Sequence, residues 1–175
     1  MSHYKSAYRE FFYQWLCAPA SNAGHEKWGL KEVRLTIDHA KFLRWVFPEA
    51  KFLFIYRDVH DSYLSVRRKP WLSIWPDHSA TPIIKFAHHW NILLEGFLEG
   101  CSDIGGVLIK YEDLVSGALD LQIVADYTGL QHIDESILDV KVGVRSTKRR
   151  PLILPERIIL DSITGSLRKR LGYWT

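Results

Sequence analysis

The sequence contains few cysteines, no long apolar run and no signal-peptide pattern. Its two cysteines, Cys17 and Cys101, are too few for a disulfide framework, and neither has a Cys or His neighbour at metal-ligand spacing. We therefore expect both to be small buried side chains in a reducing, cytoplasmic compartment. No run reaches the ~18 apolar residues of a membrane span, and residues 1–20 lack the charged-then-apolar order of a signal peptide. We expect no membrane segment.

Composition and charge restrict the class of protein. The 175 residues are 47% hydrophobic and 13% aromatic, which is ample for one core and predicts a single domain over residues 1–175. The formal charge of +3 suits anionic ligands. It is too small to indicate a dedicated nucleic-acid binder.

Apolar periodicity and chain-breaking residues predict alternating helices and strands. Pro19 and residues 22–24 are expected to end the first helix, and exposed loops are expected over residues 70–82 and 141–151. Strands separated by helical stretches indicate a parallel α/β sheet with helices on both faces. The predicted helices are 4–17, 37–47, 58–69, 83–100, 117–128 and 156–171, and the predicted strands are 51–56, 107–110 and a short strand or extended segment over 26–33.

Residues 47–68 predict an anion site. The apolar and aromatic run 51–56 is typical of a strand covered on both faces, and Arg57 follows at its carboxyl end. Ligands bind at that edge of open α/β sheets, and Asp58 or Asp61 is a suitable cap for a following helix whose free N–H groups attract phosphate or sulfate. Arginine offers an anion a two-pronged fork, and Ser65 adds a hydroxyl eight residues later.

The chain resembles PAPS-dependent sulfotransferases of the bacterial and tyrosylprotein type, where PAPS is 3′-phosphoadenosine 5′-phosphosulfate. PEAKFLFIYRD (48–58), followed by Asp61 and Ser65, is similar to the family's 3′-phosphate-binding segment. KWGLKE (27–32) resembles the segment whose lysine reaches the sulfonate, and VLIKYEDLV (107–115) resembles a family strand end. Residues 141–148 resemble its late Lys-x-x-x-Arg-Ser-Ser/Thr loop.

The resemblance implies an α/β, P-loop-type three-layer fold in which a short parallel sheet is flanked by helices. It also implies in-line transfer of a sulfonate from PAPS to a hydroxyl or amine of a small-molecule, carbohydrate or peptide acceptor, with no metal required. By this resemblance Lys31 stabilises the transferring group, Arg57 and Ser65 hold the 3′-phosphate, and Ser146 and Lys148 contribute more weakly. An acceptor must also lose a proton. Glu32, Asp38 and His39 are the nearby candidates for the base.

One family feature is missing, namely the Pro-Lys-Ser-Gly-Thr-Thr loop that wraps the 5′-phosphosulfate. We therefore expect an incomplete fold, truncated at its amino end relative to the family, and an uncovered sheet edge that favours self-association. The missing loop also leaves open a non-catalytic module that binds an adenosine 3′-phosphate or another partner. A third alternative is single-stranded nucleic acid bound by residues 145–150 with Trp71 and Trp75, although no aromatics interleave the basic run.

Overall fold

The computed structural model describes residues 2–69, 72, 81–134, 136–139 and 151–173, which form a mixed, mostly helical α/β fold. The predicted loops 70–82 and 141–151 lie mainly outside these residues. In chain order the elements are α1 (Ser2–Phe12), a π-helical turn (Tyr13–Cys17), α2 (Ala18–Asn22), α3 (Ile37–Val46), β1 (Leu53–Tyr56), α4 (Val59–Val66), α5 (Pro82–Gly100), a 3₁₀ turn (Ser102–Ile104), β2 (Val107–Lys110), α6 (Tyr111–Val115), α7 (Leu121–Thr128), α8 (Ser136–Asp139) and α9 (Leu154–Arg170).

Strands β1 and β2 pair in parallel along all four positions, which confirms the predicted parallel sheet flanked by helices. Arg57 and Tyr111 therefore follow the two strands at the same edge. One expectation was wrong, because β1 is not covered on both faces. Phe54 is buried at 8% exposure, whereas Leu53 and Ile55 keep 40% and 52% of their surface exposed. Alternate residues of a strand point to opposite faces, and one face of β1 is open.

Helices α5 and α9 pack along each other and together supply eight of the 17 buried residues of the hydrophobic core. Ala87 of α5 and Leu160 of α9 are fully buried beside Val59 of α4. The Trp90 indole nitrogen donates a hydrogen bond to the carbonyl oxygen of Arg57 over 3.0 Å. This bond fixes the turn after β1 against the middle of α5.

Tyr127 joins the amino ends of the two strands. Its hydroxyl accepts a hydrogen bond from the Phe52 amide over 2.9 Å and donates one to the Gly105 carbonyl over 2.7 Å. Gly129 then ends α7 in the left-handed conformation, with φ of +68°, as is common for a glycine that follows a helix. The carboxyl end of α7 is thus fixed at the amino edge of the sheet.

The amino-terminal region departs from its prediction at Pro19, and only the strand alternative for residues 26–33 is excluded. Pro19 does not end the first helix but lies in the first turn of α2, where its missing N–H group is tolerated. Residues 26–33 form no strand and continue as an irregular segment to α3. Within the residues that the structure describes, none of the helices has both the length and the apolar character needed to cross a bilayer.

Candidate functional site at the carboxyl edge of the sheet

Arg57 lies at the carboxyl end of β1, as predicted. Its guanidinium carbon is 4.6 Å from the centre of the Tyr111 ring, and its Nη2 atom donates to Asp61 Oδ2 over 3.0 Å. The side chain is 30% exposed. Its Nε atom is buried and has no hydrogen-bond partner among the described residues. Arg57 is therefore held in place by a ring and a carboxylate while one of its donors remains unused.

Asp58 forms the amino-terminal cap of α4, one of the two caps that the sequence predicted. Its Oδ1 atom accepts a hydrogen bond from the His60 amide over 2.8 Å. Its own amide donates to Glu112 Oε1 over 3.1 Å. Because Glu112 follows β2, this second bond joins the turns after the two strands. The side-chain cap satisfies one of the free N–H groups that would otherwise be available to an anion.

A buried arginine of α9 completes the edge. Arg168 is 8% exposed, and its Nε atom donates to Asp58 Oδ2 over 3.0 Å. Its Nη1 atom donates to Asp161 Oδ1, and His60 Nε2 lies 2.9 Å from the same oxygen. The His60 side chain is 20% exposed and is paired with Asp161.

Tyr173, which follows α9, closes the far side of this edge. Its hydroxyl donates to Glu112 Oε2 over 2.7 Å, and the Lys110 ammonium lies 4.7 Å from the centre of its ring. The pKa of Tyr173 is raised far above its usual range. Burial is the largest cause, and the hydrogen bond to Glu112 is the second. Tyr173 therefore remains a neutral hydrogen-bond donor at any physiological pH.

A cavity of about 380 Å³ lies between α4, the start of α9 and Tyr173. The polar side chains of its wall are Asp58, His60, Asp61, Glu112, Arg157 and Tyr173. Two of its carboxylates, Asp58 and Glu112, have both oxygens engaged by protein donors. Asp61 is 52% exposed and bonds Arg57. A phosphate or sulfate approaching Arg57 must therefore compete with Asp61.

The segments that carry Lys31 and Arg57 are anchored at different edges of the sheet. Lys31 is exposed on the segment before α3. On one side of it, Trp28 packs on Phe47 with ring centres 5.7 Å apart. On the other side, Ile37 packs so closely on α5 that a Cβ built at Gly100 would lie 2.6 Å from it. Phe47 precedes β1 and Gly100 precedes β2, and these anchors therefore lie at the amino edge, opposite Arg57.

Ser65 is half-buried on α4, and its hydroxyl donates to the Ser62 carbonyl over 2.6 Å. In the described part of the chain no hydrogen bond joins it to Arg57. Ser146 and Lys148 lie outside the described residues, as does most of the late loop. Of the predicted site residues, Arg57 and Ser65 thus belong to the same strand–helix unit, but their side chains are not hydrogen-bonded to each other.

Two candidate proton acceptors near Lys31 have structural partners. The hydrogen bond from Arg34, together with its charge, lowers the pKa of Glu32 to about 2, which makes Glu32 a weak base near neutral pH. His39 caps α3, with Nδ1 2.9 Å from Thr36 Oγ1.

The sequence offered weak signals for the other residues at this edge. Asp161 and Arg168 are seven residues apart, about two helical turns, and this spacing puts them on one face of α9. That pattern indicates an ion-bearing helix face but not its partner. Arg168 meets Asp58 from 110 positions away along the chain. Tyr173 lies in a short tail whose composition carries no signal.

Comparison with protein-family models, curated proteins and solved structures finds no match to this chain. The resemblance to sulfotransferases therefore depends on the sequence motifs around Lys31, Arg57 and Tyr111.

Proposed function

We propose that the chain is a sulfotransferase-type domain whose carboxyl sheet edge binds a 3′-phosphoadenosine nucleotide through Arg57. The supporting observation is Arg57 itself. It ends a parallel strand immediately before the cap of α4, lies 4.6 Å from the Tyr111 ring and keeps a buried, unused Nε donor. An orphaned donor on a pre-positioned guanidinium suits a phosphate, which accepts two parallel hydrogen bonds.

The finer parts of this proposal follow the sequence motifs. The fold is an incomplete P-loop-type three-layer fold, and PAPS, when bound, supplies the sulfonate that is transferred. Arg57 holds the 3′-phosphate, and Ser65 joins it when its hydroxyl leaves the Ser62 carbonyl. Ser146 and Lys148 contribute from the late loop. Lys31 places a positive charge on the transferring oxygens, and the acceptor is a small molecule, carbohydrate or peptide with a hydroxyl or amine.

A second candidate is a binding module without transfer, and one observation favours it. Trp28 and Ile37, on either side of Lys31, are anchored at the amino edge, whereas Arg57 lies at the carboxyl edge. Nucleotide binding needs only Arg57, but sulfonate transfer also needs Lys31 at the reacting group. Selective nucleotide binding without sulfonate transfer to any acceptor would favour this second candidate.

Calorimetric titration of the whole chain with adenosine 3′,5′-bisphosphate, with ADP as the control ligand, tests both candidates. We expect selective binding that weakens about 10- to 100-fold in Arg57→Ala, because a charge-assisted hydrogen bond contributes ~1.5–3 kcal/mol. Arg68→Ala removes the same charge from the exposed residue just after α4 and should leave binding unchanged.

Asp61→Asn supplies a test of opposite sign. It frees the Arg57 fork from an ion pair whose carboxylate is half exposed, and a pair of this kind is worth ~0.2–1 kcal/mol. We expect the bisphosphate to bind up to about fivefold more tightly. Equal binding of ADP, or loss of binding in Arg68→Ala to the same extent as in Arg57→Ala, would contradict a 3′-phosphate site at Arg57.

A further inference from the structure

Four aromatic residues form a stripe along the first helical region. Tyr4, Tyr8 and Phe11 of α1 are spaced by four and three residues, which at ~100° per residue puts them within an arc of about 60°. Trp15 follows four residues later in the π-helical turn. Such a stripe normally faces the core. Here the four side chains are 73%, 45%, 58% and 54% exposed, respectively. The stripe therefore remains largely exposed to solvent.

The helix is attached to the body by a neighbouring face. Phe12 packs on Phe47 with ring centres 5.8 Å apart, and the Lys5 ammonium lies 5.9 Å from the centre of the Trp45 ring. Arg9 reaches Glu49 over 3.4 Å. These contacts hold α1 in an orientation that leaves the stripe uncovered.

The exposed surface continues onto α3. Tyr8 contacts the edge of Phe42 with ring centres 5.0 Å apart, and Phe42 contacts Trp45 at 5.9 Å. Phe42 and Trp45 are 37% and 40% exposed. The N-terminal aromatic surface consists of Tyr4, Tyr8, Phe11, Trp15, Phe42 and Trp45.

The N-terminal aromatic surface is large enough to form an interface. With ~200 Å² for each aromatic side chain, its six members expose roughly 600 Å². This is at the upper limit of the largest apolar patch on a typical monomer. Two such surfaces in contact bury about 1,200 Å², the lower bound for a specific and stable protein interface.

We propose that two copies of this chain associate through the N-terminal aromatic surface. Apolar side chains spaced alternately by three and four residues are typical of a helix that packs against a second, identical helix. A two-fold dimer buries the same surface of both copies, so that surface must be complementary to itself. The Lys5 ammonium lies over the Trp45 ring, and Arg9 and Glu10 beside the stripe have opposite signs. The surface therefore carries no dominant charge that would select a nucleic acid or an anionic membrane.

This association is independent of the proposed function. Phe47 and Glu49, which hold α1, precede β1, whereas Arg57 follows it. The interface therefore lies near the amino edge of the sheet and leaves the nucleotide site open. Loss of nucleotide binding would leave the dimer unaffected, and loss of the dimer would leave nucleotide binding unaffected.

Sedimentation velocity of the whole chain at ~1–100 μM tests the proposal. We expect a reversible dimer, and we expect Phe11→Glu and Trp15→Glu to weaken it at least tenfold, because each buries a charge in the interface. Matched controls are Ile92→Glu on α5 and Ile158→Glu on α9, whose side chains are 59% and 57% exposed; both should remain dimeric. Phe11→Gln repeats the test without a charge, and circular dichroism checks that each variant is folded.

Three results would overturn the proposal. The first is a wild-type chain that stays monomeric at ~100 μM. The second is a dimer that survives Phe11→Glu but dissociates in Ile55→Glu, which would assign the contact to the open face of β1. The third is a monomer that binds vesicles of anionic lipid through Trp15, which would assign the surface to a membrane.

Discussion

The carboxyl edge of the sheet and the N-terminal helix use similar residues to opposite effect. At the carboxyl edge, Arg168 is 8% exposed and bonds two carboxylates from separate parts of the fold. On the N-terminal helix, the side chain of Arg9 is 47% exposed and bonds one carboxylate whose side chain is 67% exposed. Removing one partner of a buried ion pair lowers the free energy of unfolding strongly, because the other charge stays buried without compensation. Removing one partner of an exposed pair changes that free energy very little. The two arginines thus distinguish a region held by buried ion pairs from one attached through exposed contacts.

Arg168→Ala should have the largest effect of any single change in this comparison. It leaves Asp58 and Asp161 partly buried without their cation, and breaking a buried pair in this way costs roughly 3–5 kcal/mol. Urea unfolding followed by circular dichroism measures the change in the free energy of unfolding.

Arg170→Ala is the matched control, because Arg170 is exposed near the end of the same helix. We expect it to change stability by less than about 0.5 kcal/mol. If Arg168→Ala costs no more than Arg170→Ala, the carboxyl edge does not depend on its buried ion pairs.

A smaller effect should come from His89, a partly buried residue of α5. Burial lowers its pKa from 6.5 to about 4. The unfolded chain therefore binds a proton at higher pH than the folded chain does. Stability is unaffected above pH ~6.5 and falls as the pH drops toward ~4, by about 1.4 kcal/mol per pH unit.

We expect wild type to lose roughly 1–2 kcal/mol of unfolding free energy between pH 7.5 and pH 5 through this residue. His89→Gln should remove that part of the loss, and urea unfolding at the two pH values gives the difference. His88→Gln is the control, because His88 is the exposed neighbour on the same helix. The same pH dependence in wild type and in His89→Gln would show that desolvation of His89 does not control acid stability.

Local pattern predicted the parts of the carboxyl edge that follow directly from the strands. The apolar run before Arg57 indicated β1, and parallel pairing brought Arg57 beside Tyr111 without any further information. Asp58 was one of two predicted caps because Asp is a favoured N-cap residue. The strand and the cap depend on residues within a few positions of one another, and the predicted parallel pairing then places the residues after the two strands at one edge.

The remainder of the edge depends on distant contacts. The bond between Arg168 and Asp58 joins residues 110 positions apart. The residues around each of them do not indicate which distant residue it will bond. The stripe from Tyr4 to Trp15 predicted a helix correctly, but periodicity alone did not reveal that another face of that helix makes the contact with Phe47. The positions of the anchors beside Lys31 likewise depend on Phe47 and Gly100, which no motif includes.

The smallest effect should come from the exposed ion pair between Arg9 and Glu49. Its 3.4 Å distance and high exposure predict a coupling energy of about 0.2–0.5 kcal/mol. A double-mutant cycle with Arg9→Ala, Glu49→Ala and the double variant isolates this coupling, because the contact of Arg9 with the Phe47 ring is lost in both arms that remove Arg9. Urea unfolding in ~0.5 M NaCl should reduce the coupling further, since salt screens exposed charges. A salt-insensitive coupling above about 1 kcal/mol would mean that the N-terminal helix is held as firmly as the carboxyl edge, and the contrast between Arg9 and Arg168 would no longer hold.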